Sequence, residues 1–374
     1  MIPQRHLFDI PDGVTYLNHA YLSPTLRAAR AAGEQALAVP PWEIEPAHFF
    51  ADSERLRGRF GALLGDDAEG VALVPSVSYG VGVAAANLPL RAGDRVVVLE
   101  EQFPSNVYAW ARSAGRAGAT VVTVPRARGE GWTEGVVAAI DERTAVVAVP
   151  QGHWTDGSLV DLLAVGAAAR AAGAALVVDG SQTIGAHPFD VAAIQPDFVV
   201  AAGYKWLLGP YSLGYLWAAP HRRDGVPLEH NWITRGGSED FTGLVDYRDD
   251  YQAGARRYDM GERSNFVAVP MAIAALDQVT AWGVEAIAAH GAALVARAAA
   301  RGEELGLQHT PPGHRASCLV GIRCPGGFPP SVAKSLAAER IFVSMRGDSM
   351  RVSAHAYNGP DDIDRLCDVL AGLL

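Results

Sequence analysis

The chain has 374 residues, of which 49% are hydrophobic and 19% are charged, and its formal net charge at pH 7 is -10. This length and apolar fraction predict one large domain with a sizeable core, together with a smaller domain. The negative charge argues against non-specific binding of nucleic acid and favours a small-molecule partner.

Short apolar runs rich in β-branched residues alternate with segments of helical periodicity as far as residue 218. Runs without polar alternation are typical of strands that are buried on both faces of a parallel sheet. The alternation predicts an α/β fold, with a mainly parallel seven-stranded sheet flanked by helices. The predicted strands are 70–75, 95–100, 120–125, 145–150, 175–180, 197–203 and 213–218.

A polar, irregular stretch at 220–262 follows, and loops of that length are more often functional than idle. A long helical stretch then leads into a smaller α+β unit. Its strands and last helix are predicted at 317–323, 341–346, 349–355 and 361–374. We therefore divide the chain into a large α/β domain, 16–262, and a small α+β domain, 1–15 plus 263–374.

The three cysteines form no CxxC pair and have no metal-ligand spacing, so we expect free thiols, a reducing compartment and no metal site. The first residues, MIPQRHLFDIPDG, lack the hydrophobic core of a signal peptide. No apolar run has the length of a membrane span. These features predict a cytoplasmic protein without a membrane partner.

Lysine is scarce, since only two of the 31 basic residues are lysines. Lys334 lies in an ordinary solvated helical pattern, whereas Lys205 lies in the nearly uncharged stretch FVVAAGYKWLLGPYSLGYLW. Burial lowers the pKa of an ammonium group and leaves a nucleophilic amine that can form a Schiff base. The alternative is a lysine that snorkels to the surface from a strand end.

Residues one strand upstream favour the reactive lysine. Asp179 ends an apolar strand in ALVVDGSQ, and Gln182 follows three residues later. Neighbouring parallel strands lie about 5 Å apart, so these strand ends converge on one pocket. Alone, Asp179 would be a helix cap. With Lys205 and Gln182, it supplies what pyridoxal phosphate needs: a partner for the pyridine nitrogen, an amine for the aldehyde and an amide for the phenolic oxygen.

A candidate phosphate site lies in LVPSVSYGVG, where a predicted strand runs into a helix. Backbone N–H groups around Val77 and the hydroxyls of Ser76 and Ser78 would hold a phosphate, although serines here are also ordinary helix caps. The segment lacks the P-loop GK[ST] and the GxGxxG fingerprint, which argues against a nicotinamide-dependent dehydrogenase. Phe103, in LEEQFPSN, would stack on the cofactor ring or pack in the core.

Together these motifs resemble the cofactor signature of the fold-type I, class V aminotransferase-like enzymes. The stretch from VVDGSQ to YKWLLGP carries the resemblance, which extends from TYLNHAYLSPT to MRVSAHAYNGPDDIDRL. The family includes cysteine desulfurases, kynureninases and isopenicillin N epimerase-like proteins. The resemblance implies pyridoxal 5'-phosphate as cofactor and a homodimer whose active site is shared across the interface.

The resemblance assigns roles to the cofactor residues. Lys205 would form the Schiff base with the cofactor, Asp179 would pair with the pyridine nitrogen, and Gln182 would contact the phenolic oxygen. Phe103 resembles the ring-stacking phenylalanine of kynureninases. Tyr204 stands where desulfurases carry a histidine, and its hydroxyl would reach the phosphate.

Further roles concern the partner subunit and the substrate. Gly236 and Gly237 resemble paired glycines that approach the other subunit's cofactor in family dimers. Arg351 aligns with the arginine that binds the substrate α-carboxylate, a task suited to a bidentate guanidinium. Asn18 and His19 would line the substrate side.

Departures from the family pattern narrow the chemistry. Desulfurases carry a mobile cysteine shortly before the carboxylate-binding arginine, whereas the loop here is RGDSMR, with Ser349 and no thiol. Desulfuration through a persulfide is therefore disfavoured. After the fourth strand, QGHWTDGS places His153 and Trp154 where relatives often carry an asparagine, which predicts an aromatic substrate site.

We expect an enzyme that acts at Cα of a small amino-acid-like substrate, with Lys205 as general base. An aminotransferase is favoured. The alternative is a β-eliminating (C–S) lyase, a decarboxylating enzyme or an epimerising enzyme, because all of these use the same residues. A non-catalytic binding protein of this fold would not need Lys205, Asp179 and Gln182 together.

Overall fold

The computed structural model describes residues 1–126 and 131–374. In chain order the strands are β1 (Thr15–Tyr16), β2 (Val71–Val74), β3 (Arg95–Leu99), β4 (Thr120–Val124), β5 (Thr144–Pro150), β6 (Ala175–Asp179), β7 (Phe198–Ala202), β8 (Gly214–Ala218), β9 (Gln308–His309), β10 (Leu319–Arg323), β11 (Ile341–Phe342), β12 (Ser344–Arg346) and β13 (Ser349–Ser353). The α-helices are α1 (Arg27–Leu37), α2 (His48–Ala62), α3 (Val77–Asn87), α4 (Tyr108–Ala117), α5 (Thr133–Ala139), α6 (Leu162–Ala172), α7 (Val191–Ile194), α8 (Ala268–Trp282), α9 (Val284–Glu304), α10 (Val332–Ala338) and α11 (Pro360–Ala371).

The large sheet has the strand order β2-β8-β7-β6-β5-β3-β4. Strand β8 runs antiparallel to its neighbours β2 and β7, and the other pairs are parallel. Strands β6, β7 and β8 are buried along their whole length, since apolar side chains cover both faces. Helices α3 and α4 pack on one face, and α2, α6 and α8 pack on the other. The predicted mainly parallel seven-stranded sheet is confirmed.

A second sheet, of order β12-β13-β10-β9, is antiparallel and packs against helices α9, α10 and α11. The single strand predicted at 341–346 divides into β11 and β12. Strand β11 pairs in parallel with β1 near the start of the chain, whereas β12 pairs with β13. The division arises because the two halves belong to different sheets.

The division of the chain into domains at residue 262 stays a prediction. Helix α8 follows that position, yet its buried residues Val269, Ile273 and Leu276 belong to the core beneath the large sheet. Among the described residues, no single helix has the length and apolar character needed to cross a bilayer; α8 and α9 reach it only together, across a bend of 76°.

The irregular stretch at 220–262 is anchored to the large sheet by a buried ion cluster. The Asp259 carboxylate accepts hydrogen bonds from Arg57 at 2.8 Å, from Arg263 at 2.5 Å and from the backbone N–H of Leu73, on β2, at 2.7 Å. All three charged side chains are fully buried. Charges in such a place need each other as partners, so the cluster fixes where this stretch leaves the sheet.

Candidate active site

Two adjoining cavities lie at the carboxyl ends of the central strands. The strand-end cavity, of about 280 Å³, is lined by residues that follow β2, β3, β5, β6 and β7. The hairpin cavity, of about 440 Å³, lies beside it and includes the β12–β13 hairpin. Both cavities are lined by Phe103, Trp154, Gln182, Tyr204, Lys205 and Tyr211.

Lys205 follows strand β7 and lies where the two cavities meet. Its Nζ atom is 5.4 Å from the centroid of the Phe103 ring and 5.8 Å from that of the Tyr204 ring. Burial lowers the pKa of the amine to about 8; the negative charge of Asp179 opposes this effect, and the positive charge of Arg351 reinforces it. Lys205 is thus a buried amine that loses its proton more readily than a solvated lysine.

Asp179 ends β6 on the strand next to Lys205 and is buried. Burial raises the pKa of its carboxyl group, and hydrogen bonds from Ser181, including its N–H at 3.0 Å, act in the opposite direction. Within the described residues no ion pair neutralises this carboxylate. A buried acid that forms no ion pair fits a ligand that brings a positively charged ring N–H.

The Gln182 amide is held from two sides. Its Nε2 donates to the carbonyl oxygen of Ala20 at 3.2 Å, and its Oε1 accepts from the Trp206 indole at 3.1 Å. These bonds fix which way the amide points at the boundary of the two cavities. One N–H of Nε2 is left to donate to a ligand oxygen.

The start of helix α3 forms the opposite wall of the strand-end cavity. Ser76 caps the helix by accepting from the N–H of Tyr79 at 3.2 Å, and its hydroxyl lies 2.9 Å from that of Ser78. Ser76, Val77 and Ser78 line the strand-end cavity but not the hairpin cavity. The free N–H groups of a helix start favour an anion, so this wall fits a phosphate.

Aromatic side chains form much of the remaining surface. The Phe103 ring meets the Trp154 ring edge to face at 5.4 Å, and Tyr204 lies 4.6 Å from Tyr211. The Trp154 indole donates to the carbonyl oxygen of Glu101 at 2.7 Å. Trp154 was predicted here from the sequence. Tyr211 was not, although it belongs to the same YKWLLGPYS motif as Lys205.

Arg351 lies on β13 and lines the hairpin cavity. Its guanidinium donates to the Trp154 carbonyl oxygen at 2.7 Å, and its buried Nε has no partner among the described residues. Burial, together with the neighbouring positive charge of Arg346, lowers the pKa of Arg351 to about 9. An incoming carboxylate would satisfy the free N–H and the charge together.

His153 does not line either cavity, contrary to its predicted place on the substrate side. Its ring is buried, stacks on Trp132 at 5.0 Å and lies 2.8 Å from the Thr155 hydroxyl. Its Nε2 lies 3.2 Å from the carbonyl oxygen of Glu100. Burial lowers the pKa of His153 to about 4. The ring turns inward because these partners satisfy both of its nitrogens.

Asn18 and His19 are also absent from the lining of both cavities. The Asn18 side-chain oxygen accepts from the Ser344 hydroxyl at 2.6 Å, which ties it to β12. The His19 ring is fully buried, with Nδ1 3.2 Å from the Tyr357 hydroxyl and Nε2 3.2 Å from the Lys205 carbonyl oxygen. Both residues support the wall from behind instead of forming its surface.

Gly236 and Gly237 lie outside both cavities of their own chain. The Gly236 N–H donates to the Asp250 carbonyl oxygen at 3.0 Å, and Gly237 has a φ of +75°, which favours glycine. A contact with the cofactor of a second subunit stays a prediction.

No cysteine lines either cavity within the described residues. Cys318 is buried, and burial raises the pKa of its thiol to about 12. A thiol with so high a pKa is a poor nucleophile at neutral pH. Ser349, which the sequence resemblance aligns near the mobile cysteine of desulfurases, lies at the start of β13.

The fold and the side chains at the strand ends define a pyridoxal-phosphate-dependent enzyme of fold type I. Residues 50–366 match the family model described as aminotransferase class-V, and the chain belongs to that family. Its cofactor is pyridoxal 5'-phosphate. Asp179, Gln182, Lys205 and the start of α3 form a donor set that suits this group.

The chain is similar to several characterised and uncharacterised proteins. It is 28% identical to an uncharacterized aminotransferase, YcbU, of Bacillus subtilis (strain 168), over 85% of this chain and 83% of that protein. It is 27% identical to the isopenicillin N epimerase of Streptomyces clavuligerus, over 96% of this chain and 95% of that protein. The apo structure of the cysteine desulfurase from Thermococcus onnurineus NA1 shares the fold, with a TM-score of 0.87 and 19% identity, over 100% of this chain and 98% of that chain.

Proposed function

We propose that this enzyme is an aminotransferase that acts at Cα of an amino acid. The observation that carries the proposal is the position of the Lys205 amine at the junction of the two cavities. It lies between the start of α3, which suits a phosphate, and Arg351. Bound pyridoxal phosphate supplies an aldehyde carbon that links to amines and a ring that withdraws electrons. The proton transfers are left to the protein.

Each side chain has a defined task in this proposal. Arg351 holds the substrate α-carboxylate and thereby orients Cα. The Lys205 amine, whose pKa burial lowers to about 8, would take the proton from Cα and, as the ammonium form, would return it in the following step. With the cofactor bound, the Asp179 carboxylate would keep the ring nitrogen protonated, and Gln182 would donate to the phenolic oxygen.

A single base suits transfer better than epimerisation, which needs a proton donor on the opposite face of Cα. Among the described residues that line the hairpin cavity, none is histidine, cysteine, aspartate or glutamate. The hydroxyls of Tyr21, Tyr204 and Tyr211 are the remaining donors. Burial raises the pKa of Tyr204, which makes that hydroxyl a weaker acid.

Epimerisation is the second candidate, because isopenicillin N epimerases from two organisms match 96% and 99% of this chain. Elimination of a β-substituent would use the same base.

A panel of amino acids incubated with the enzyme separates these reactions. An aminotransferase gives a keto acid and pyridoxamine phosphate. Inverted substrate indicates epimerisation, and pyruvate with ammonia indicates elimination; either product, without keto acid and pyridoxamine phosphate, would overturn the proposal.

We also propose that the active form is a cytoplasmic homodimer with a shared site. Gly236 and Gly237 lie outside their own chain's cavities, as expected for residues that serve a second subunit. Large apolar side chains are exposed as well, including Trp42 at 84% and Tyr247 at 98%. Light scattering coupled to an activity assay tests the assembly, and an active monomer would refute it.

A further inference from the structure

The hairpin cavity contains a second arginine that the α-carboxylate does not require. Arg346 lies at the end of β12 and lines this cavity together with Arg351. In the β12–β13 pair, Ser344 faces Arg351 and Arg346 faces Ser349. Because side chains two residues apart on a strand share a face, both guanidinium groups project from the same face of the hairpin. The Cα atoms of such diagonal neighbours are about 7–8 Å apart.

Aromatic rings contact Arg346, and no ion pair with another described residue neutralises its charge. Its guanidinium carbon is 5.9 Å from the centroid of the Tyr21 ring and 5.7 Å from that of the Trp154 ring. One N–H group donates to the carbonyl oxygen of Met345 at 2.8 Å. Cation–π contacts fix the position of a guanidinium while leaving its charge in place.

The cavity therefore has an excess of positive charge. Arg346, Arg351 and Lys205 line it, and within the described part of the chain none of its lining residues is acidic. Two neighbouring guanidinium groups repel each other unless an anion lies between or beside them. One carboxylate satisfies Arg351, which leaves Arg346 to a second anionic group.

We propose that Arg346 binds a second carboxylate of the substrate, so that the substrate is an amino acid with an acidic side chain. This inference rests on the proposed function in taking Arg351 as the site of the α-carboxylate. The cavity of about 440 Å³ lies in the size range of small-molecule sites and has room for an extended side chain. Arg346 determines specificity in this proposal, and Lys205 keeps its part in the chemistry.

Binding of compounds without an amino group tests the inference separately from the reaction. Isothermal titration of the holoenzyme with succinate, glutarate and butyrate compares two carboxylates with one. We expect one of the dicarboxylates to bind at least about tenfold more tightly than butyrate, as for one additional charged hydrogen bond. Arg346→Gln should abolish this preference and leave butyrate binding unchanged, whereas Arg351→Gln should weaken all three ligands.

Two further variants control for folding and for charge. Arg346→Lys keeps the charge and should retain part of the dicarboxylate preference. Arg112→Gln removes the same charge from an exposed position on α4 and should alter no affinity. Equal binding of all three ligands by the wild-type enzyme would overturn the inference, as would equal weakening of all three by Arg346→Gln. A dicarboxylate preference without transamination would refute only the proposed reaction, and transamination without the preference would refute only the role of Arg346.

Discussion

The Nε2 atom of His19 lies 3.2 Å from the carbonyl oxygen of Lys205, although the His19 ring lines neither cavity. Burial lowers the pKa of His19 well below its ordinary value, so the ring is neutral. Its Nε2–H therefore donates to Lys205, and its Nδ1 accepts from the Tyr357 hydroxyl, 3.2 Å away. His19 also stacks on His355, with ring centroids 4.3 Å apart. His19 thus positions the backbone that carries the reactive amine.

Replacement of His19 by leucine should lower kcat by about tenfold while KM stays near the wild-type value. The loss of the buried hydrogen bond to the Lys205 carbonyl oxygen, worth about 1–3 kcal/mol, lets the Lys205 backbone shift away from its reactive position. His19→Gln, which keeps a donor, should restore part of the rate. Steady-state kinetics on both variants test this, and a rise in KM at unchanged kcat would instead place His19 in the substrate site.

Lys205→Ala should abolish both turnover and the visible absorbance of the lysine-bound cofactor. No other lysine lines the described cavities, so no amine replaces it. Lys334→Ala, at the other lysine of the chain, is the matched control and should keep both properties. An absorption spectrum unchanged by Lys205→Ala would contradict the assignment of the cofactor linkage.

Asp179→Asn should reduce the rate of proton abstraction by at least about a hundredfold, because an amide cannot hold the proton on the ring nitrogen. The lysine-bound cofactor should still form, so its absorbance separates lost chemistry from lost binding. Asp161→Asn is the control. Asp161 caps α6, and asparagine caps helices equally well. Wild-type kinetics in Asp179→Asn would disprove the role of this carboxylate.

Most of the large sheet could be predicted because its strands are buried on both faces. The apolar runs at 95–100 and 175–180, for example, correspond to β3 and β6 within one residue at each end. The single strand predicted at 341–346 was wrong, because the structure has two strands there, β11 and β12. Its first half pairs with β1, more than three hundred residues away in sequence, and the local sequence pattern does not indicate so distant a partner.

The residues brought together in the strand-end cavity could be predicted for a topological reason. Asp179 and Lys205 follow neighbouring parallel strands, whose carboxyl ends must meet at one edge of the sheet. His153 was placed wrongly because a motif gives the position of a residue and not the direction of its side chain. Arg346 and Tyr21 escaped prediction because only tertiary packing joins the start of the chain to the β12–β13 hairpin.

Asp259→Asn should lower the free energy of unfolding by about 3–5 kcal/mol, because the buried Arg263 loses its counter-charge and the buried Arg57 keeps only that of Glu54. Arg57 and Arg263 share this carboxylate, and neither side chain reaches solvent. Urea unfolding followed by circular dichroism measures the change. Asp246→Asn, at an exposed position of the same irregular stretch, should have little effect. If Asp259→Asn lowered the free energy of unfolding as little as Asp246→Asn, the cluster would not anchor this stretch.

Stability should decline as the pH falls below 6.5, because histidines that are neutral in the folded chain take up protons when it unfolds. Burial lowers the pKa of His153 to about 4 and that of His355 to about 3, from an ordinary value of 6.5. Between pH 6.5 and these lower pKa values, the unfolded state therefore binds more protons than the folded state. Each histidine then lowers the free energy of unfolding by about 1.4 kcal/mol per pH unit. Neither ring nitrogen of His355 has a hydrogen-bond partner within the described residues, so His355→Phe should reduce this slope without loss of stability at pH 7. Urea unfolding at pH 7, 6 and 5 measures the slope; exposed His6→Gln should leave it unchanged, and an unaltered slope in His355→Phe would contradict the assignment.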